Sequence, residues 1–222
     1  MRLLIALIPL LIMPGLAQGM LADLGGPDRH TVLGQHLEVL EVPEGRLSLE
    51  EVRSGRYAGQ WQAVEETVPN FGYTDSTYWG RVTLPPLDRE RTRLLAEIGY
   101  AVLDHVDAYL IRGGEIIAHH ELGDRVTYDA RPIDHPNFIF PVDLSRSEDT
   151  ELYLRVETSS SMQIPLTLWE PEALLEHQFE QSTLFALFYG AMLVMAIYNL
   201  LVFFAVRDAS YLYYVIYVIS MV

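Results

Sequence analysis

Apolar positions along the chain follow two rhythms. Residues 3–16 and the stretch from 183 onward are near-continuous apolar runs, whereas between them hydrophobic and polar positions alternate in short bursts. The bursts fall at residues 36–42, 78–84, 93–100, 106–112, 115–119, 137–142, 150–157 and 165–169. Each turns every second side chain to one face, as a half-buried strand requires. Gly113-Gly114 separates two of them and supplies the positive φ of a two-residue hairpin loop. Eight or more short strands with turn signals between them predict an antiparallel all-β sandwich, in the jelly-roll arrangement, over residues 36–170. Outside the apolar runs the one helical stretch is 170–182, with Pro171 where a first helical turn tolerates it. No internal repeat or low-complexity tract appears.

The two apolar runs differ in kind. Residues 1–19 carry one Arg, a short apolar stretch, a Pro14-Gly15 break and then small residues. These are the parts of a secretory signal peptide, with cleavage after Ala17 or Gly19, and residues 20–35 form a lead-in. Residues 183–206 contain no charge over 24 positions, about 36 Å of helix against a ~30 Å hydrocarbon core. Gly190 and Ala191 would let another helix approach closely, and Asn199 at depth calls for a partner, so neighbouring helices are expected. Residues 207–210 then form a turn and 211–222 resume an uncharged apolar run. That run makes only about 18 Å of helix, so it reads as the start of a second membrane span and the chain as truncated within it. Export places residues 20–182 outside, the juxtamembrane helix 171–182 leading into the span, and the turn with Arg207 on the cytoplasmic side.

Charge narrows the function classes. The chain has 15 basic and 30 acidic residues, a net charge of −15. All but Arg2, Arg207 and Asp208 lie within residues 20–182, and such a surface repels nucleic acid and anionic headgroups. There is no cysteine, which removes disulfides and thiolate metal sites, and no lysine, which removes Schiff-base and P-loop-lysine chemistry. G-x-S-x-G, H-E-x-x-H and a glycine-rich phosphate loop are all missing, so no enzyme is expected. Neither is a cofactor. The adjacent His119 and His120 point to opposite faces of a strand and cannot chelate one ion, and no EF-type spacing exists, although the many carboxylates are compatible with a structural Ca²⁺.

Four blocks of the middle, FGYTDSTYWGRVTL (71–84), LLAEIGYAVLDHVDAYL (94–110), GDRVTYDARPIDHPNFIFPVDL (123–144) and LYLRVETSSSMQIPLTLWEPEA (152–173), resemble the extracellular type-2 domain of the bacterial 7TMR-DISM receptors. LFYGAMLVMAIYNLLVFFAVRDASYLYYVIYV (187–218) is similar to the opening of their seven-helix module, so the resemblance covers roughly residues 35–222 in the family's order. It implies a jelly-roll ectodomain similar to carbohydrate-binding modules, placed in the periplasm on the bacterial inner membrane. It also implies a cytoplasmic output domain, a histidine kinase, diguanylate cyclase or other, which this sequence does not contain.

Candidate binding residues come from strand faces. Trp79 and Arg81 share a face of one strand, Asp107 and Tyr109 of another, and Tyr153 and Arg155 of a third, opposite the apolar set Leu152, Leu154 and Val156. If these faces line one sheet, aromatic rings and guanidinium groups with a carboxylate would suit a saccharide. The alternative makes Trp79 a core residue and the Arg side chains ordinary ion pairs. Arg131, in a loop block that resembles the family, is the seventh candidate, with loop anchoring as its alternative. The expected ligand is a small molecule of carbohydrate type. The rival function is a membrane-anchored interaction or dimerisation module, or a remnant without signalling activity.

Overall fold

A computed structural model describes residues 29–43, 46–87, 92–127 and 131–221. The expected signal peptide, and the lead-in up to residue 28, lie outside the described residues. Two compact units emerge, residues 1–170 and 171–222.

The first unit is a β-sandwich. Its larger sheet holds β2 (Glu38–Val42), β3 (Gln62–Ala63), β5 (Thr77–Leu84), β7 (His105–Arg112), β8 (Glu115–Leu122) and β10 (Thr150–Glu157), in the order β3-β2-β5-β10-β7-β8. The smaller holds β1 (His30–Val32), β6 (Arg93–Ile98), β9 (Phe138–Asp143) and β12 (Leu166–Trp169), in the order β1-β12-β6-β9. A two-stranded ribbon pairs β4 (Asn70–Tyr73) with β11 (Ser161–Gln163). Every pairing is antiparallel. All eight expected strands form. Short β1, β3, β4 and β11, of two to four residues, were too brief to show a period.

One continuous core joins the inner faces. Tyr78, Val82 and Leu84 of β5, Val106, Ala108 and Leu110 of β7, and Leu152, Leu154 and Val156 of β10 meet Ala96, Ile98, Phe138, Phe140, Val142, Leu166 and Leu168 of the opposing sheet. Each fully buried Leu, Val or Phe contributes about 1.5–3 kcal/mol of hydrophobic transfer energy. At one edge of this interface, Arg112 donates to the Thr150 hydroxyl at 3.3 Å and to the Asp143 carbonyl, tying β7 to β10 and to β9. Gly113 and Gly114 both take positive φ in the β7–β8 hairpin, as expected.

A short helix outside the membrane segment lies where no periodicity predicts one. Residues 49–53 form α1 (Leu49–Arg53), so 170–182 is not the only helical stretch there. Its signal is a complete capping box, in which Ser48 accepts from the Glu51 N–H and Glu51 accepts from the Ser48 N–H. A 3₁₀ turn at Gly34–His36 likewise shortens the first long strand at its start.

The second unit is a pair of helices. Pro171–Val206 is a single helix, α2, so the juxtamembrane and membrane segments expected as neighbours are one continuous rod. Its length and composition suffice to cross a membrane. Arg207, at φ 57°, and Asp208 make the turn, and Asp208 caps α3 (Ala209–Ser220) by accepting from the Ser210 N–H at 2.9 Å. Ala196, Val215 and Val218 pack together where α2 and α3 meet. Asn199 donates one N–H to the Met195 carbonyl of its own helix at 2.8 Å, which leaves its amide oxygen available to a neighbour.

Two outcomes follow from the packing. Gly123 sits at φ +134°, and a Cβ there would lie 2.2 Å from the Asp104 carbonyl oxygen, so Gly123→Ala is expected to destabilise the sandwich by roughly 2 kcal/mol or more in a denaturant titration. His120 packs against Phe140 with ring centroids 5.6 Å apart, and burial, reinforced by His119, lowers its pKa despite the opposing effect of a bond to the Pro141 carbonyl. The unfolded chain therefore takes up this proton first, and stability falls as pH drops below about 6.5. Denaturation midpoints at pH 7.5 and 5.5 are expected to differ less in His120→Gln than in the parent chain.

Candidate functional site

Strands β5, β10 and β7 lie side by side, and their register decides which side chains become neighbours. Arg81 is opposite Tyr153, which is opposite Tyr109; Trp79 is opposite Arg155, which is opposite Asp107. Six of the seven candidates thus form two rows of three on the outer face of the larger sheet. Arg131 is not among them. It precedes β9, stacks over Phe138 at 5.1 Å and donates to the carbonyls of His135 and Gly123 at 3.2 and 3.4 Å, which anchors its loop.

The face is electrostatically closed at its centre. Arg155 Nη1 donates to Asp107 Oδ2 at 3.0 Å, and Nη2 donates to Glu157 Oε1, which also accepts from the Thr77 hydroxyl at 3.1 Å. Asp107 Oδ1 lies 3.1 Å from His119 Nε2 on β8. Arg81 donates to Glu38 at 2.7 Å and stacks on Trp61 at 4.3 Å. The ion-pair reading of these guanidinium groups therefore holds at the same time as their shared face. Burial, then Asp107, pushes the Tyr109 phenol up, and burial, then Glu151, pushes Tyr153 up, so both remain neutral hydrogen-bonding groups at physiological pH.

A strap covers much of this face. Residues 46–61, including α1, bring Leu47, Leu49, Val52, Tyr57 and Trp61 against Leu40, Val42, Trp79, Ile111 and Tyr153 in a second apolar cluster. Trp79 is wholly buried, at 0% exposure, which the core alternative anticipated. Its ring nonetheless faces the side of the sheet that the alternation assigned, parallel to Tyr109 at 6.1 Å. Beside it a cleft of about 320 Å³ opens between strap and sheet, with Trp79, Tyr109, Ile116 and Arg155 below and Arg46, Leu47, Ser48, Leu49 and Glu50 above. The Trp79 indole N–H has no partner among the described residues. A second cleft of about 440 Å³ lies at the strand ends, lined by Arg46, Asp75, Thr77, Asp104, His105, Arg125, Glu157 and Ser159 among others. There burial would raise the Asp104 carboxyl, but bonds from Ser159 and the charge of Arg125 outweigh it and hold it below the usual carboxylate range. Arg46 lines both clefts.

Residues 34–170 match the family described as 7TMR-DISM extracellular 2, which spans more than half of the chain. The chain belongs to this family. Residues 181–222 match the family described as 7TM diverse intracellular signalling, the membrane module of the same 7TMR-DISM receptors. No curated protein matches the sequence. The two matches, in this order, make the chain the sensor portion of a 7TMR-DISM membrane signalling receptor, with an extracellular β-sandwich followed by membrane helix.

Residues of this 7TMR-DISM face that alternation could not reveal are Arg46, Trp61 and His119. Arg46 and Trp61 sit on a non-periodic strap, for which the Ser48–Glu51 capping box was the available signal. His119 has Asp107 as its partner across β7–β8, and only the hairpin register brings them together. Asp107 and Arg155 are each less than one-fifth exposed, so their mutual dependence should be measurable. A double-mutant cycle of Asp107→Asn and Arg155→Met, read by denaturant unfolding, is expected to give a coupling of about 1–3 kcal/mol.

Proposed function

We propose that this ectodomain is the ligand-sensing input of a bacterial receptor, lying in the periplasm on the inner membrane, and that it binds a saccharide-like small molecule between the strap and the outer face of the larger sheet. The observation that carries this reading is the convergence of Trp79, Tyr109 and Arg155, from three strands, with Arg46 of the strap around one cleft. Its volume, about 320 Å³, falls at the small end of ligand sites and suits one or two sugar rings. The Tyr109 ring offers a stacking surface, while the exposed Arg46 guanidinium offers donors to hydroxyl or ring oxygens. The role is recognition rather than catalysis.

Ligand binding would act as a population shift. A ligand held by both Arg46 and the sheet favours one placement of the strap, and the bias passes to the seven-helix module and a cytoplasmic output domain. A specific feature supports a second reading, a homodimer or a partner receptor docked on β8. That edge strand leaves Ile116 and Ile117 exposed.

The test uses the full chain in lipid nanodiscs, titrated calorimetrically with a panel of neutral mono- and disaccharides. One or more sugars are expected to bind, with affinity at least tenfold weaker in Arg46→Ala and in Tyr109→Ala and unchanged in Arg131→Gln. A chain that binds no sugar, but whose sedimentation shows a dimer lost on Ile116→Asp with Ile117→Asp, would replace the sugar reading with the docking one.

A further inference from the structure

We infer that the outer face also carries a divalent metal site of the zinc class, formed by Asp107 of β7 with His119 and Glu121 of β8. This inference is separate from the saccharide reading, because the ion needs no ligand in the cleft. His119 and Glu121 are two apart on the edge strand and so share a face, while Asp107 stands directly opposite Glu121 in the β7–β8 register. One ligand atom from each lies within 4.8 Å of the other two.

The geometry is close to what such an ion demands. Zinc bonds N and carboxylate O at about 2.0–2.2 Å, so two of its tetrahedral ligands stand roughly 3.3 Å apart. Asp107 Oδ1 and His119 Nε2 are already 3.1 Å apart. Glu121 is exposed and its flexible side chain can close the remaining gap. Both nearer ligands are held from behind. Arg155 grips the other carboxylate oxygen of Asp107 at 3.0 Å, and Tyr109 stacks on the His119 ring at 4.3 Å with the planes 1° apart. Outer contacts of this kind fix the orientation of metal ligands. The donor set of one imidazole and two carboxylates suits zinc and its transition-metal neighbours better than Ca²⁺ or Mg²⁺, which prefer oxygen alone. Three protein ligands on an exposed edge leave a fourth position open to solvent. Through the stack on His119, occupancy of the site would hold Tyr109 in place at the cleft.

The site is not visible in sequence because the adjacent His119-His120 pair draws attention to the wrong combination. His120 points into the sandwich against Phe140, and the second and third ligands come from across the hairpin and two residues on.

The experiment adds zinc chloride to the full chain in nanodiscs, with no sugar present, and measures affinity by competition with a chromophoric chelator. One ion per chain is expected. His119→Gln and Glu121→Gln should each weaken it at least tenfold, whereas His135→Gln should not, and X-ray absorption of the zinc edge should show a single imidazole in the first shell. Retained zinc affinity in His119→Gln, binding without fixed stoichiometry, or calcium binding as tight as zinc would each overturn the inference. Loss of sugar binding in the same preparation would leave it standing, so the two readings fail independently.

Discussion

Arg155 sits where three carboxylate-bearing or aromatic neighbours from three strands need it, and the antiparallel register of β5, β10 and β7 is what delivers it there. A strand slipped by one residue would turn Leu152, Leu154 and Val156 to the outer face and bury Tyr153 and Arg155 in the sandwich. The apolar core forbids that slip. The same core that stabilises the fold therefore aligns the polar face behind it, and the charges of Asp107 and Glu157 become tolerable in a partly buried place because one guanidinium satisfies both.

That face is unusual in being half covered. In an antiparallel sandwich the outer side of a sheet normally meets water and reads as polar. Here the central strands carry Trp79, Ile111 and Tyr153 outward, and the strap of residues 46–61 buries them under a second, smaller apolar cluster. Trp79 is consequently a packing anchor that supports the cleft from beneath. Besides that cluster, the strap contacts the sheet through the stack of Arg81 on Trp61, the Arg53 bond to the Gly114 carbonyl and the Arg46–Glu157 ion pair.

The membrane unit follows different physics. Its first helix is apolar on all sides through the span, so no amphipathic stripe marks a preferred face, as expected for a helix whose solvent is lipid or other helices. Two of its polar side chains donate to the backbone of their own helix: Asn199 to the Met195 carbonyl and Thr183 to the Phe179 carbonyl. The turn is made by Arg207 in a left-handed conformation and by the cap of Asp208, which provides partners to backbone groups that the hydrocarbon could not. α2 runs unbroken from Pro171 through the apolar span to Val206.

Most of the fold was legible along the chain, because period-2 alternation and uncharged runs are local signals of where a residue must be buried. All eight long strands, the Gly113-Gly114 hairpin, the apolar helix and the facial grouping of each candidate pair could be read residue by residue. The capping box at Ser48 and Glu51 is equally local but lies in a stretch without alternation, where a five-residue helix leaves no periodic trace. Strand order was another matter. Which strand lies beside which depends on contacts between residues as far apart as Trp79 and Arg155, and no local pattern encodes that distance. Alternation put Trp79 on the face opposite Tyr78, Val82 and Leu84. Only the tertiary structure decided that this face would be roofed by a strap, that Arg131 would serve its loop instead, and that His119 would meet Asp107 rather than act with His120. The sequence by itself determined the class of each element, since burial in water or lipid acts on every residue separately. The site belongs to the tertiary structure, since it exists only where separately buried elements are brought side by side.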